Sequence, residues 1–230
     1  MKICIPIMAT SLEESMIEAR KTTEMKCDML EWRMDCIEGK IRRDSFINAW
    51  NEIRRAAGNR PVIVTLRTKT QGGKRELSVS EYNAALRKII SEIKPAYIDI
   101  ELAGSGSDAN VRMLAVMAKK RGIGVIVSYH DLSFTEEARD IELLLCRMKY
   151  IGADIPKVAF TPNSEEDVEK LIRGASLAHE KIGDLIAISM GELGQKTRKE
   201  GDFIGSCINF VKPVGSGYDE NSNTGQMEIE

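Results

Sequence analysis

Eight short runs of apolar and β-branched residues alternate with seven amphipathic stretches along almost the whole chain, and this alternation constrains the fold most strongly. The strand-like runs are 2–9, 28–34, 61–67, 96–102, 124–130, 154–160, 184–190 and 206–211. The helix-like stretches are 11–25, 44–57, 80–92, 108–121, 135–149, 164–180 and 196–203. Strands and helices that alternate about every 25–30 residues indicate parallel βα units. Eight such units in 230 residues predict an α/β fold of the (β/α)8 TIM barrel type.

The sequence contains no linker or low-complexity stretch between these runs, so we expect one barrel domain over residues 1–230. The alternative is a doubly wound open sheet, which usually has fewer strands and often carries a GxGxxG loop that this chain lacks. The polar tail 215–230 leaves too little chain for a full eighth helix. We therefore expect the eighth helix to be short or missing, or the chain to have been cut.

Composition and charge exclude several classes of protein. The 33 basic and 35 acidic residues give a formal charge of -2, which provides no reason to expect nucleic-acid binding. No apolar run approaches the roughly 20 residues that cross a membrane, and the N-terminal segment turns polar too early for a secretory signal. The five cysteines are scattered without a CxxC pair, which predicts neither a disulfide framework nor a zinc site. These features predict a cytoplasmic protein.

Ionisable side chains fall where successive predicted strands end. They are Glu31 and Arg33, Arg67, Asp99 and Glu101, His130 and Asp131, and Lys157 within the next run. Barrel enzymes place their chemistry at the carboxyl ends of their strands, and solvation alone does not explain charges on five successive strands. Because side chains alternate along a strand, Glu31 shares a face with Arg33, and Asp99 shares a face with Glu101.

Lys157 interrupts an otherwise apolar strand, IPKVAF at 155–160. One interpretation is an edge strand whose lysine stem reaches out to water. The other is an inward-facing amine whose burial weakens its preference for the charged form, so that it can attack a carbonyl and form a Schiff base. The charged ends of the neighbouring strands favour the second interpretation.

Chemistry through an imine needs a base and an anchor for the substrate. His130 titrates near neutrality and is the natural base, and either Glu101 or Asp131 is suited to orient its ring. The arginines suit a substrate carboxylate, which a guanidinium can hold with two parallel hydrogen bonds. The chain lacks the aspartate-rich cluster typical of Mg²⁺ sites, and it lacks a GxSxG turn.

Seven motifs, in this order along the chain, resemble those of the type I 3-dehydroquinate dehydratases, the Schiff-base dehydroquinases of the shikimate pathway. They are EWRMD (31–35), TLRT with the following GG (65–73), DIEL (99–102), SYHD (128–131), ADIPKVAF (153–160), ISMG (188–191) followed by Arg198, and SNTGQ (222–226). The resemblance implies a (β/α)8 barrel that dehydrates 3-dehydroquinate to 3-dehydroshikimate, in the biosynthesis of chorismate and the aromatic amino acids. It also implies a homodimer that uses no metal and no organic cofactor.

The resemblance assigns expected roles to individual residues. Lys157 matches the imine-forming lysine, and His130 matches the general acid and base. The residues that match substrate-binding positions are Glu31, Arg33, Arg67, the carboxylate-binding Arg198, and Ser222 and Gln226 of the loop that closes over the substrate. We count Gln71, Glu101, Met190 and Phe210 as supporting residues, although Met190 and Phe210 are equally compatible with ordinary barrel core.

Two positions depart from the family pattern. Gln71 stands just before the Gly-Gly pair, where the family commonly has a glutamate that hydrogen-bonds the catalytic histidine. A glutamine can orient an imidazole but cannot stabilise its cation by charge, so we expect His130 to have a lower pKa than in relatives. Pro6 stands where some members have a serine near the substrate.

Two other functions remain open from the sequence. Another Schiff-base barrel, such as a class I aldolase, would also use a lysine on its sixth strand. It would bind phosphate in the region where this chain has Gly191, Gly194 and Arg198. The second is a non-catalytic descendant of the barrel that serves as a binding module, which Gln71 and the short tail would fit.

Overall fold

The computed structural model describes residues 1–213 and 227–229. Its strands are β1 (Lys2–Ile7), β2 (Met29–Arg33), β3 (Val62–Thr65), β4 (Tyr97–Glu101), β5 (Gly124–Asp131), β6 (Ile155–Phe160), β7 (Ile186–Ser189), β8 (Ile208–Pro213) and β9 (Met227–Ile229). They form one sheet in the order β7-β6-β5-β4-β3-β2-β1-β8-β9, and every hydrogen-bonded pair of strands is parallel. All eight predicted strands are present.

The helices follow the strands in alternation. They are α1 (Leu12–Lys21), α2 (Arg43–Ala57), α3 (Val79–Glu92), α4 (Leu102–Ser105), α5 (Asp108–Lys120), α6 (Ala138–Tyr150), α7 (Glu165–Ile182) and α8 (Gln195–Lys199). The predicted helix 196–203 is too long, because a separate 3-10 turn at Gly201–Ile204 follows α8. The sequence pattern does not indicate the one-turn α4. Among the residues that the structure describes, no helix has the length and apolar character needed to cross a membrane.

Strand β8 closes the barrel between β1 and β7. It pairs with β1 from Lys2 opposite Ile208 onward, and a single bridge between Leu185 and Ser206 joins the chain before β7 to the chain before β8. At this bridge the amide of Cys207 donates to the carbonyl of Leu185 at 2.8 Å. The predicted (β/α)8 barrel is therefore confirmed, and its seam between β7 and β8 is hydrogen-bonded near the amino ends of the two strands.

A short ninth strand comes after β8 in the chain. Strand β9 pairs with β8, with Val211 opposite Met227 and Pro213 opposite Ile229. Beyond β8 the structure describes only the three residues of β9, so the expected short or missing eighth helix stays a prediction. The sequence pattern does not indicate β9, because the tail 215–230 has the composition of a loop.

Serine residues begin four of the helices at the positions where the chain leaves the barrel and turns back. Ser11, Ser78, Ser107 and Ser164 are the N-caps of α1, α3, α5 and α7, and each hydroxyl accepts a hydrogen bond from the backbone three residues later. Such a cap satisfies an amide that has no partner inside the helix. The caps fix where each helix starts, and therefore how far the loops at the barrel mouth extend.

Two apolar cores stabilise the fold. The outer core packs the strands against the helices and includes Trp32, whose ring stacks on Phe46 with centroids 5.6 Å apart. The inner core fills the barrel from alternate strand positions and consists of Cys4, Met29, Ile63, Ile126, Ala159, Ile186, Ile188, Met190, Ile208 and Phe210. Further along the same inward faces, towards the carboxyl ends of the strands, the side chains become ionisable. This change from apolar to charged defines the candidate site.

Candidate active site

Lys157 lies in the middle of β6 and points into the barrel. The residue is 5% exposed, so the interpretation of a lysine that reaches out to water is wrong. Its Nζ lies 3.6 Å from Oδ2 of Asp99 and 4.1 Å from the ring centroid of Phe210. Burial lowers the pKa of Lys157, and the carboxylates of Asp99 and Glu31 oppose this shift only in part. The amine is therefore easier to deprotonate than an ordinary lysine.

A buried network of charges surrounds this amine. Arg67 donates from Nη2 to Oδ2 of Asp99 at 2.9 Å, and from Nη1 to Oε1 of Glu101 at 3.0 Å and to Oγ of Ser128 at 2.8 Å. The hydroxyl of Ser128 donates in turn to Oδ1 of Asp99 at 2.6 Å. Burial would raise the pKa of Asp99, but the charges of Arg67 and Lys157 hold it below its usual value. Asp99 is therefore the carboxylate that pairs with the amine, a role that the sequence prediction does not assign to it.

His130 stands near the end of β5 with its ring in a half-buried position. Its Nδ1 atom is buried and has no hydrogen-bond partner among the described residues. Burial, followed by the positive charges of Arg67, Lys157 and Arg33, lowers the pKa of His130 well below its usual value. The imidazole is therefore neutral near pH 7 and ready to accept a proton.

The side chain of Gln71 binds the main chain of His130. Its Oε1 accepts the backbone N–H of His130 at 2.7 Å. Glu101 instead accepts hydrogen bonds from the hydroxyl and amide of Thr68, and Asp131 accepts hydrogen bonds from Ser133. In residues 1–213 no hydrogen bond joins Glu101 or Asp131 to the imidazole, which corrects the expectation that one of them orients the ring.

Glu31 and Arg33 lie on the inward face of β2, as the alternation predicts. Oε1 of Glu31 accepts a hydrogen bond from the hydroxyl of Thr65 at 2.6 Å. Arg33 forms a two-pronged contact with Asp35, from Nε to Oδ1 and from Nη2 to Oδ2, both at 2.8 Å. Pro6 pairs with Glu31 across β1 and β2. The sequence analysis does not assign a role to Asp35.

Arg198 follows β7 on the short helix α8 and is buried. Its Nη1 donates to the carbonyl of Phe210 at 3.1 Å, and Nδ2 of Asn209 donates to the carbonyl of Arg198 at 3.1 Å. Burial lowers the pKa of Arg198 to about 10. Since the ring of Phe210 lies against the Lys157 amine, this contact brings the guanidinium to the same end of the barrel.

The remaining predicted residues fall into two groups. Met190 and Phe210 both belong to the inner core of the barrel, and Phe210 additionally contacts the amine of Lys157. Ser222 and Gln226 lie outside the described residues, so their expected place in a loop over the substrate stays a prediction. Residues 1–213 contain no group of three or more His, Cys, Asp or Glu side chains that could hold a metal ion.

The fold and the site together define a (β/α)8 barrel with a buried lysine amine on its inner face. Lys157 lies within β6, His130 lies near the end of β5 and Arg198 lies on the helix after β7, an arrangement that suits Schiff-base chemistry on a carboxylate-bearing substrate. The chain belongs to the type I 3-dehydroquinase family, whose model matches residues 3–230.

Relatives support this membership over nearly the whole chain. The 3-dehydroquinate dehydratase of Syntrophotalea carbinolica is 34% identical over 216 residues, which are 93% of this chain and 84% of the relative. The enzyme of Klebsiella pneumoniae strain ATCC 700721 is 35% identical over 210 residues, covering 90% of this chain and 83% of the relative. The structure of the type I enzyme from Clostridium difficile, solved with covalently modified comenic acid, aligns with a TM-score of 0.89 and 28% identity. The alignment covers 99% of this chain and 87% of that chain.

More distant structures share the fold alone. Deoxyribose phosphate aldolase from Aeropyrum pernix aligns with a TM-score of 0.59 at 12% identity, over 91% of this chain and 85% of that chain. Such a likeness carries no information on substrate. The aldolase alternative that remains open from the sequence therefore gains no support beyond the shared barrel.

Proposed function

We propose that the barrel mouth dehydrates 3-dehydroquinate to 3-dehydroshikimate through an imine on Lys157. Membership of its family makes the chain a 3-dehydroquinate dehydratase, a hydro-lyase of the route to chorismate and the aromatic amino acids. The observation that carries the assignment of the nucleophile is the burial of the Lys157 amine between the carboxylate of Asp99 and the ring of Phe210.

The first half of the proposed reaction forms the imine. The neutral amine of Lys157 attacks the C3 ketone and gives a carbinolamine, which loses water to form an iminium ion. The lowered pKa of Lys157 supports this step, because only the deprotonated amine carries the lone pair that attacks. His130 assists by moving protons between the amine and the leaving oxygen.

The second half eliminates water from the ring. The iminium withdraws electrons from C2, and neutral His130 removes a proton from that carbon to give an enamine. The enamine expels the C1 hydroxyl, which leaves as water after His130 returns its proton. Hydrolysis of the imine then releases 3-dehydroshikimate and restores the Lys157 amine, so that the net change is the loss of one water molecule.

The arginines and Glu31 would hold the substrate during these steps. We assign the substrate carboxylate to Arg198, whose buried guanidinium lies beside Phe210. We assign substrate hydroxyls to Glu31 and Arg33, which share the inward face of β2. Arg67 is already hydrogen-bonded to Asp99 and Glu101, so its proposed role is to frame the site and hold the charges around the amine.

Borohydride trapping tests the proposal. Wild-type protein is incubated with 3-dehydroquinate and sodium borohydride, and the adduct is located by intact-mass and peptide mass spectrometry. A stable adduct on Lys157, absent from Lys157→Met, supports the imine. If folded wild-type protein gives no adduct while a known Schiff-base enzyme does, the proposal is wrong and the alternative of a non-catalytic binding module is preferred.

We further propose that the enzyme acts as a homodimer in the cytosol. All five cysteines are free, which fits a reducing compartment. Exposed apolar side chains on two adjacent helices, Met113 and Val116 on α5 with Leu143 and Tyr150 on α6, would suit an interface with a second copy. Light scattering after gel filtration tests the dimer. A dimer is expected for wild type and a monomer for the double variant Val116→Glu Leu143→Glu.

A further inference from the structure

Asp35 is a fully enclosed carboxylate that contacts two arginines of the site. It lies in the 3-10 turn Met34–Cys36 directly after β2, and its side chain is 0% exposed. It accepts hydrogen bonds from two nitrogens of Arg33, from the amide of Arg67 and from the amide of Lys74. One side chain therefore joins the end of β2 to two points of the segment that follows β3.

The contact with Arg33 fixes the orientation of a guanidinium at the mouth. Two parallel hydrogen bonds of 2.8 Å hold Nε and Nη2 against Asp35, and the side chain of Arg33 keeps 16% of its surface exposed. A guanidinium held at one edge by such a fork directs its opposite edge, with the Nη1 donors, away from the carboxylate. In this position Arg33 presents donors to a substrate without having to be ordered at the moment of binding.

The contacts with Arg67 and Lys74 fix the loop after β3. Oδ1 of Asp35 accepts the Arg67 amide and Oδ2 accepts the Lys74 amide, each at 3.2 Å. The loop folds tightly between these points, because the amide of Gly73 donates to the carbonyl of Thr68 at 2.8 Å. Gln71, at the centre of the loop, accepts the main-chain N–H of His130.

We propose that Asp35 is a positioning residue that sets the donor edge of Arg33 and, through the loop 68–74, the main chain of His130. This inference rests on the proposed function, because it gives Arg33 and His130 their chemical roles. Asp35 itself does not touch the reacting atoms. Asp35 thereby links two functions: Arg33 binds the substrate, and Gln71 holds the main chain of the base His130.

The charge of Asp35 is suited to this role. Burial would raise the pKa of Asp35, but hydrogen bonding and charge attraction from Arg33, together with the amide of Arg67, hold it below the usual value. The carboxylate therefore stays ionised, and its two oxygens can accept all four hydrogen bonds. An asparagine of the same shape would lose the charge and would present donor hydrogens to donors.

The test compares Asp35→Asn with Arg33→Ala and with the double variant. Asp35→Asn is expected to raise KM about tenfold, since the loss of charge-assisted hydrogen bonds frees the guanidinium of Arg33. The double variant is expected to have the same KM as Arg33→Ala, because Asp35 acts on binding through Arg33. If the double variant instead raises KM by the product of the two single effects, the two residues act independently and the coupling to Arg33 is overturned.

A second readout does not depend on catalysis. Nuclear magnetic resonance follows the Nε–H of Arg33 and the amide of His130 by their rates of hydrogen exchange. In Asp35→Asn both rates are expected to rise by about tenfold or more. The Nε–H of Arg33 loses its carboxylate acceptor, and the amide of His130 loses the loop contacts that hold its acceptor, Gln71, in place. If the His130 rate stays as in wild type, the path through the loop is wrong, whether or not the protein is active.

Two further variants separate positioning from folding. Glu142→Gln alters another buried carboxylate, which bonds Arg139 and Lys181 on the outer helices. It is expected to lower the melting temperature and leave KM and both exchange rates unchanged. If Asp35→Asn does not fold, the same exchange rates are measured in Asp35→Glu, which keeps the charge but displaces the carboxylate by one methylene. Both rates are expected to rise, and wild-type rates would overturn the proposal. Failure of borohydride trapping in wild type would count against the proposed function alone, since the exchange measurements judge Asp35 separately.

Discussion

Asp99 and Lys157 face each other across the interior of the barrel, with Oδ2 of the carboxylate 3.6 Å from Nζ of the amine. The same oxygen accepts a closer hydrogen bond from Arg67 at 2.9 Å, so the charge of Asp99 is divided between two cations. The carboxylate therefore holds the amine in place without fully compensating for its burial. This division explains how one site can both anchor the lysine and leave its pKa below the usual value.

The first prediction concerns this pairing. In Asp99→Asn the ammonium form of Lys157 loses its nearest stabilising charge, so its pKa should fall further, by about one unit or more. The pH midpoint of borohydride trapping with a saturating ketone should move to lower pH by the same amount. Asp108→Asn, at an exposed ion pair with Arg147, is the matched control and should leave the midpoint unchanged. A midpoint that rises in Asp99→Asn contradicts the pairing.

Lys157→Met tests the nucleophile itself. The change keeps the length and apolar stem of the side chain against Phe210 but removes the amine, so turnover should fall by at least about a thousandfold. Binding of 3-dehydroquinate should persist and be detectable by calorimetry, because the carboxylate and hydroxyl contacts remain. Lys170→Met, on the outer helix α7, controls for the loss of a lysine. Turnover by Lys157→Met at the wild-type rate would exclude the covalent route.

His130 should act as a base at unusually low pH. Burial and the charges of Arg67, Lys157 and Arg33 hold its pKa well below 6.5, and the imidazole must be neutral to accept a proton. The acidic limb of kcat/KM against pH should therefore lie below pH 6.5. In Gln71→Glu a carboxylate beside His130 favours the imidazolium, which should move this limb upwards by about one pH unit.

Gln71→Ala separates the charge from the hydrogen bond in this experiment. It removes the acceptor of the His130 amide without adding a charge, so kcat should fall while the acidic limb stays where wild type has it. The interpretation is contradicted if the wild-type limb lies at or above pH 6.5, or if the glutamate variant leaves it in place.

Residues that are unusual by their type and their position in a strand can be identified from the sequence alone. Lys157 stands out because a charged residue interrupts an apolar strand, and His130 because it is one of two histidines and ends a strand. The alternation of apolar runs also predicts all eight barrel strands, because each strand must bury one face inside the barrel and the other against helices.

The partners of these residues could not be predicted in the same way. Asp99 reaches Lys157 only because β4, β5 and β6 are paired in a particular register, which places Ser128 beside Lys157 and Glu101 beside Ser128. Asp35 accepts main-chain amides, and such donors have no signature in the side-chain sequence. The sequence analysis likewise relates Gln71 to the imidazole of His130, whereas Oε1 of Gln71 accepts the backbone N–H of that residue.

Arg198→Lys should weaken recognition of a carboxylate. Lysine keeps the positive charge but cannot form two parallel hydrogen bonds, so KM for 3-dehydroquinate should rise about 10–100-fold with a smaller effect on kcat. The comparison substrate is an analogue that carries hydrogen in place of the carboxylate. Wild type and variant should process this analogue with the same kcat/KM. An equal loss for both substrates would mean that Arg198 supports the barrel near Phe210 rather than the substrate carboxylate.

Gly73→Ala tests whether the loop after β3 has to lie against Arg67. A Cβ at this position would come 2.0 Å from the carbonyl oxygen of Arg67 and 2.8 Å from its Cβ, so the backbone itself has to move. We expect a loss of stability of about 1–3 kcal/mol. We also expect a lower kcat, because a displaced loop withdraws Gln71 from the amide of His130.

Gly58→Ala is the matched control for this effect. Gly58 ends α2 far from the barrel mouth with φ 60, and an added Cβ there would meet no atom within 4 Å. Its positive φ is unfavourable for alanine, so stability should again fall by about 1–3 kcal/mol, while kcat of the folded enzyme stays at the wild-type value. If both variants lose stability and only Gly73→Ala loses turnover, the lower kcat results from displacement of the base His130 and not from the loss of stability. Equal turnover in the two variants would mean that the loop can leave Arg67 without disturbing His130.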